Sequence, residues 1–147
     1  MSLFSIFNVA GSGMAAQSVR LNTVASNLAN AESVAPTPEG AYRAREPLFQ
    51  AVQQQLANGA MAGDAASRAG EGEGVRVLGV SQSQADIPKR YEPGNPLAGP
   101  DGFVYGSNVN PVDELVNMIS ASRSYQNNVE VMNSAKQLML KTLTLGN

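Results

Sequence analysis

The chain has 147 residues, a length typical of one modest domain with extensions. Hydrophobic residues make up 43% of it, but only 5% of residues are aromatic and none is Trp, which argues against a large compact core. The net charge is −2 with ten scattered Lys and Arg residues, and Cys and His are absent. We therefore expect no nucleic-acid surface, no disulfide and no cofactor, and histidine-based catalysis is excluded.

The N-terminal residues 1–17 lack a basic start, and Ser, Asn and Gly interrupt their apolar stretch. A cleaved secretory signal needs a basic start and a longer apolar run, so a chain of this kind that leaves the cytoplasm is expected to do so without one. No segment approaches the ~20 apolar residues of a membrane span, so direct membrane insertion is not expected.

The first predicted element is a helix over residues 3–31. Its apolar positions alternate by three and four, as in a coiled-coil seam. Gly11 and Gly13 weaken its first turns, and Asn30 and Pro36 are reasonable stop signals. The seam consists of Phe7, Ala10, Met14, Gln17, Leu21, Val24, Leu28 and Ala31.

The middle of the chain has a different character. Residues 58–74 are rich in Gly and Ala and predict a flexible loop, and residues 75–80 predict a strand. Residues 87–91 and 103–105 are candidate partner strands for it. Residues 43–56 fit a short helix and an extended segment almost equally well.

The last predicted element is a helix that starts at Pro111 and runs to about Leu143. Asn110 suits the N-cap position, and Asp113 and Glu114 suit the positive end of the helix dipole. A helix dipole is a better explanation of these adjacent carboxylates than a catalytic pair, because neighbouring helix positions point ~100° apart. The seam consists of Leu115, Met118, Ser122, Tyr125, Val129, Met132, Lys136, Met139 and Leu143.

The fold class is therefore predicted as mainly α with a small β element. The long N- and C-terminal helices are expected to pair as a coiled coil, with a β-hairpin and loop region between them. The domain prediction is an N-terminal assembly helix in residues 1–33, a central loop and β region in residues 34–109, and a C-terminal assembly helix in residues 110–147.

Charge is almost missing from the N-terminal helix, where Arg20 is the only ionisable side chain in residues 1–31. An ordinary surface helix carries charge on its solvent face. The seams alone favour an intramolecular helix pair and an assembly surface about equally, and the two are compatible. The lack of charge favours assembly with other protein.

A set of apolar and amide side chains makes up the predicted assembly interface. Tyr125 is interpreted as a core aromatic of the seam. Asn27 and Asn30 are candidates for hydrogen bonds between subunits, although helix termination explains Asn30 equally well. The full set is Phe7, Met14, Leu21, Val24, Asn27, Leu28, Asn30, Leu115, Met118, Tyr125, Val129, Met132, Met139 and Leu143.

Both ends of the chain resemble a known family. Residues 10–33, AGSGMAAQSVRLNTVASNLANAES, are similar to the N-terminal signature of flagellar axial proteins, the rod and hook subunits. Residues 42–45 follow where rod proteins have a similar Tyr-basic element. Residues 91–98, YEPGNPLA, and residues 109–147 resemble the proximal-rod subunits in particular. The loop in residues 58–74 departs from the shorter members as an insertion.

The resemblance implies a structural subunit and not an enzyme. Such a protein would leave the cell through the flagellar type III export apparatus and join the periplasmic rod of the basal body, which carries torque from the membrane ring to the hook. Its partners would be other rod subunits, the rod–membrane-ring junction proteins and further copies of itself. The alternatives are another flagellar axial subunit or a secreted helical adaptor protein.

Overall fold

The computed structural model describes residues 3–52 and 74–145. The predicted loop in residues 58–74 lies outside the described residues except for Gly74, which begins a strand. In chain order the elements are α1 (Leu3–Ala29), β1 (Val34–Ala35), β2 (Arg45–Val52), β3 (Gly74–Gln82), β4 (Lys89–Tyr91), β5 (Phe103–Gly106) and α2 (Pro111–Leu145). A helix at each end with small antiparallel strands between them confirms the predicted fold class at this level.

The ends of both helices follow from local sequence. At the end of α1, the Asn30 backbone N–H donates to the Ser26 carbonyl over 3.2 Å, and the Asn30 side-chain amide donates to the same oxygen over 2.8 Å. At the start of α2, Asn110 Oδ1 accepts the Val112 backbone N–H over 3.0 Å, as predicted for an N-cap. Neither helix, in the described part of the chain, is long and apolar enough to cross a membrane.

The chain divides into two units. The terminal unit contains Met1–Ser18, Phe49–Leu78 and Arg123–Asn147, and the middle unit contains Val19–Leu48 and Gly79–Ser122. Each helix therefore contributes one part to each unit.

The middle unit contains a three-stranded antiparallel sheet in the order β1–β5–β4. Val34 pairs with Gly106 at one edge of β5, and Arg90 pairs with Val104 at the other. Val104 is fully buried, and the other buried apolar residues of this unit are small: Val24, Ala35, Ala41, Ala44, Val109 and Ala121.

The connection from β4 to β5 turns at Gly102, which has a φ of 75°. A side chain is unfavourable in this left-handed conformation, and a Cβ there would also lie 2.8 Å from Cε2 of Tyr91. The turn brings Tyr91 and Phe103 into edge-on ring contact at 5.2 Å.

The second sheet has two strands, β2 and β3. They run in opposite directions, because Ser83, just after β3, donates its N–H to the carbonyl of Ala44, just before β2. The extended interpretation of residues 43–56 is thus confirmed over Arg45–Val52. The prediction that β4 and β5 supply the partner strands of residues 75–80 is wrong: β4 and β5 pair with each other, and β3 pairs with β2.

The described core of the terminal unit is built from alanines, with Ala10, Ala16 and Ala135 almost fully buried. Small side chains let the elements of this unit approach closely. A Cβ on Gly13 would lie 2.9 Å from Nδ2 of Asn128, so Gly13 is a close-approach position and not only a weak point in the helix. Ser12 Oγ accepts the Val75 backbone N–H over 3.1 Å, which fixes the start of β3 against α1.

Candidate assembly site

The predicted interface residues differ widely in exposure. Val24 and Asn27 are buried in the chain itself. Leu115, Tyr125 and Leu143 are exposed, and Tyr125, at 38% exposure, is therefore not a core residue of the chain as interpreted from the seam. The others are half-buried: Phe7, Met14, Leu21, Leu28, Asn30, Met118, Val129, Met132 and Met139.

Asn27 is the most highly connected of these residues. Its Nδ2 donates to the Arg45 carbonyl over 2.8 Å and to Glu114 Oε1 over 3.1 Å. Its Oδ1 accepts the Arg45 N–H over 2.9 Å and the Tyr42 hydroxyl over 3.0 Å. An amide has two donors and two lone pairs, so the hydrogen-bonding capacity of Asn27 is filled. With 1% exposure, it joins α1, the 42–45 segment and α2 inside the middle unit.

The 42–45 segment is held from its other side as well. Asn108 Oδ1 accepts the Ala44 N–H over 2.7 Å, and its Nδ2 donates to the Ala85 carbonyl over 3.1 Å. Arg43 donates to the carbonyls of Ser83 and Ala85 over 3.2 and 3.3 Å. The Tyr-basic element noted in the sequence thus has a structural role: two asparagines from distant positions fix its backbone.

A second polar contact joins the two helices one heptad before Asn27. Arg20 Nη2 donates to Asn117 Oδ1 over 2.9 Å. The single charge of residues 1–31 is therefore directed toward α2 within the chain. The pairs Arg20–Asn117 and Asn27–Glu114 together set the axial stagger of the two helices in the middle unit.

The pKa of the Glu114 carboxyl is shifted by its surroundings in this site. Its Oε1 accepts from Asn27, whereas its Oε2 is buried and has no hydrogen-bond partner among the described residues. Burial raises the pKa of the Glu114 carboxyl above its ordinary value, the Asn27 hydrogen bond lowers it, Glu46 and Asp113 raise it, and Arg20 lowers it. The net direction is upward, because loss of hydration is the largest effect.

The outer side of the first turns of α2 is apolar and uncovered. Val112, Leu115, Val116 and Ile119 are between 47% and 66% exposed. Their spacing of three, four and seven places them on one face of the helix. We call this set the α2 stripe. The sequence pattern singled out only Leu115, as a seam residue; Val112, Val116 and Ile119 lie off the predicted seam, although their spacing of three and four is visible in the sequence.

Two family models and several known proteins are similar to this chain in sequence. Residues 7–34 match the family model described as "Flagella basal body rod protein", and residues 101–145 match "Flagellar basal body rod FlgEFG protein C-terminal". The flagellar basal-body rod proteins FlgC of Salmonella typhimurium and of Escherichia coli O157:H7 are each 51% identical over 146 residues, covering 99% of both chains. The FlgC protein of Yersinia enterocolitica is 49% identical with the same coverage.

The two terminal helices, the two small sheets between them and both family models define a class, the flagellar basal-body rod proteins. Within that class, the FlgC proteins share about half of their residues with this chain over 99% of its length, which decides the family. The chain belongs to the FlgC family.

Proposed function

We propose that the chain is a structural subunit of the proximal rod of the flagellar basal body. It polymerises through its terminal helices and helps to transmit torque from the membrane ring to the hook. Membership of a rod-protein family supports the structural role. The α2 stripe supports polymerisation through helices, because full burial of a Val, Leu or Ile side chain contributes roughly 1.5–3 kcal/mol.

We further propose that α1 and α2 pair as a coiled coil within each unit. In the middle unit, the Arg20–Asn117 and Asn27–Glu114 contacts support this pairing. In the terminal unit, Cε of Met132 lies 3.9 Å from the position of a Cβ on Gly11, and Asn128 lies against Gly13. Small residues on one helix opposite larger residues on the other favour close approach of the two axes.

The assembly interface in this proposal has two layers. The buried members of the predicted set, Val24 and Asn27, act in the pairing of the chain's own helices. The exposed members Leu115, Tyr125 and Leu143 face neighbouring subunits, together with the rest of the α2 stripe. Residues 1–33 and 110–147 act as assembly helices, and residues 34–109 act as the central region.

The proposed partners are other rod subunits, further copies of this chain and the rod–membrane-ring junction proteins. Delivery is through the flagellar type III export apparatus, and the location is the periplasmic rod. The family's printed descriptions, which are those of rod proteins, support a structural role without catalysis.

The test is deletion of the gene followed by inspection of detergent-extracted basal bodies. We expect loss of swimming, absence of a rod in the mutant, and presence of this protein in wild-type rods at a fixed ratio to the ring proteins. Swimming that persists without the gene, or basal bodies that lack the protein, would refute the proposal. A stable monomer bound to one dedicated secreted partner would instead favour the adaptor alternative.

A further inference from the structure

We propose that Glu114 is a proton-sensitive latch of the middle unit: uptake of one proton by its carboxylate stabilises the junction of α1, the 42–45 segment and α2. The proton would act on the chain's own fold, whatever the chain's function. The hydrogen bonding and burial of the Glu114 side chain, and the charges that surround it, favour its uptake.

The two carboxylate oxygens of Glu114 are unequally satisfied. Oε1 accepts the Asn27 amide over 3.1 Å, and Oε2 is buried without a partner among the described residues. An ionised carboxylate delocalises its negative charge onto both oxygens, so half of that charge lies on an oxygen that has almost no solvent-exposed surface and no donor among the described residues. A proton on Oε2 leaves a neutral hydroxyl there, and a buried neutral group costs much less than a buried charge.

Charged groups reach this carboxyl from each element packed around it. Glu46 comes from β2 and Asp113 from α2, and both disfavour ionisation of Glu114. Arg20 from α1 favours ionisation but donates its guanidinium hydrogen bond to Asn117 instead. From the 42–45 segment, the Arg45 guanidinium lies 5.5 Å from the centre of the Tyr42 ring. No cation therefore forms an ion pair with Glu114 in the described part of the chain.

Three neighbouring carboxylates also suggest a bound cation as an alternative to a proton. The described residues contain no group of three or more carboxylates placed to hold a metal ion. In this geometry, a proton and not a metal ion is expected to neutralise the charge of the Glu114 carboxylate.

The sign of the effect follows from linkage. A free glutamate titrates near pH ~4.3, and the pKa of Glu114 in the folded chain is raised by its burial. The folded chain therefore binds this proton more readily than the unfolded chain does. The resulting stabilisation is fully present below the unfolded pKa and is lost as the pH rises through the folded pKa. Mildly acidic conditions thus stabilise the junction of α1, the 42–45 segment and α2.

The experiment uses the purified full-length chain, unfolded by urea and followed by circular dichroism from pH 4 to pH 7.5. Glu114→Gln keeps the shape and the acceptor oxygen but cannot titrate. Between the two pKa values, the ratio of the wild-type to the variant unfolding constant should rise by up to about tenfold per pH unit. Glu39→Gln, an exposed carboxyl in the loop after β1, is the matched control and should keep the wild-type profile.

A second measurement does not depend on the variant. Carbon-13 NMR titration of the wild-type Glu114 carboxyl should give a midpoint above that of a free glutamate. The proposal is overturned by a midpoint at or below the free value, by parallel stability profiles of wild type and Glu114→Gln, or by a chain without helical signal at every pH.

Discussion

Asn27 forms two hydrogen bonds with the backbone of a single residue, Arg45. Its Nδ2 donates to the Arg45 carbonyl over 2.8 Å, and its Oδ1 accepts the Arg45 N–H over 2.9 Å. The planar amide thus serves Arg45 as a neighbouring strand would, by satisfying one donor and one acceptor at the first residue of β2. A helix side chain thereby determines where the strand begins.

Replacement of Asn27 by Ala is expected to destabilise the chain by about 3 kcal/mol, because it removes all four hydrogen bonds of a buried amide, including both of those to the Arg45 backbone. The Glu114 carboxylate would lose its donor in the same variant. Urea unfolding at pH 7 measures the change. Asn22→Ala, at an exposed site on the same helix, is the control and should stay within about 0.5 kcal/mol of wild type. Equal stability of the two variants would contradict this role for Asn27.

The two glycines of α1 are expected to respond differently to Ala. At Gly11 a Cβ would meet Met132 at an ordinary 3.9 Å, so Gly11→Ala should stabilise the chain by up to about 1 kcal/mol through helix propensity. At Gly13 a Cβ would lie 2.9 Å from Asn128 Nδ2, so Gly13→Ala should gain less or lose stability. Thermal unfolding of the two variants compares them directly.

The Gly13 prediction has an internal control. Truncation of Asn128 to Ala removes the obstructing amide, so the double variant Gly13→Ala/Asn128→Ala should recover the helix-propensity gain. Strict additivity of the two single substitutions would show that Asn128 does not limit the space at Gly13.

Loss of the N-cap of α2 should lower the stability of the chain by less than the loss of Asn27. Asn110→Ala removes the acceptor of the Val112 N–H and should cost about 1 kcal/mol. Asn110→Ser restores a capping oxygen and should recover most of that loss. The measurement is thermal unfolding of both variants, and equal melting temperatures for Ala and Ser would contradict the capping role.

Local signals predicted the helices well. The cap at Asn110 and the stop at Asn30 placed the ends of both helices to within two residues, because capping depends on neighbours in sequence. Strand pairing was mispredicted because it is non-local: the apolar run of residues 75–80 is equally compatible with β2 and with β4 or β5.

The site was predictable only in part. Asn27 was predicted as a candidate for hydrogen bonds between subunits, whereas its amide forms its four hydrogen bonds within the chain. Its partner Glu114 stands 87 positions away, and no periodicity links the two. Glu114 was interpreted as a helix-dipole residue, and its position at the helix start agrees with that interpretation. The burial of its Oε2, which has no hydrogen-bond partner among the described residues, depends on the packing of three elements, and no local sequence pattern indicates it.

The α2 stripe gives the sharpest test of assembly through the helices. Val116 is 62% exposed in the chain itself, so Val116→Glu should change its free energy of unfolding by no more than about 0.5 kcal/mol. In the rod the same carboxylate would be buried against a neighbouring subunit, so complementation of the deletion strain by this variant should fail to restore rods and swimming. Gln84→Glu adds an equal charge at an exposed position outside the helices and should complement fully. If Val116→Glu complements as well as Gln84→Glu, the stripe lies outside the subunit interface.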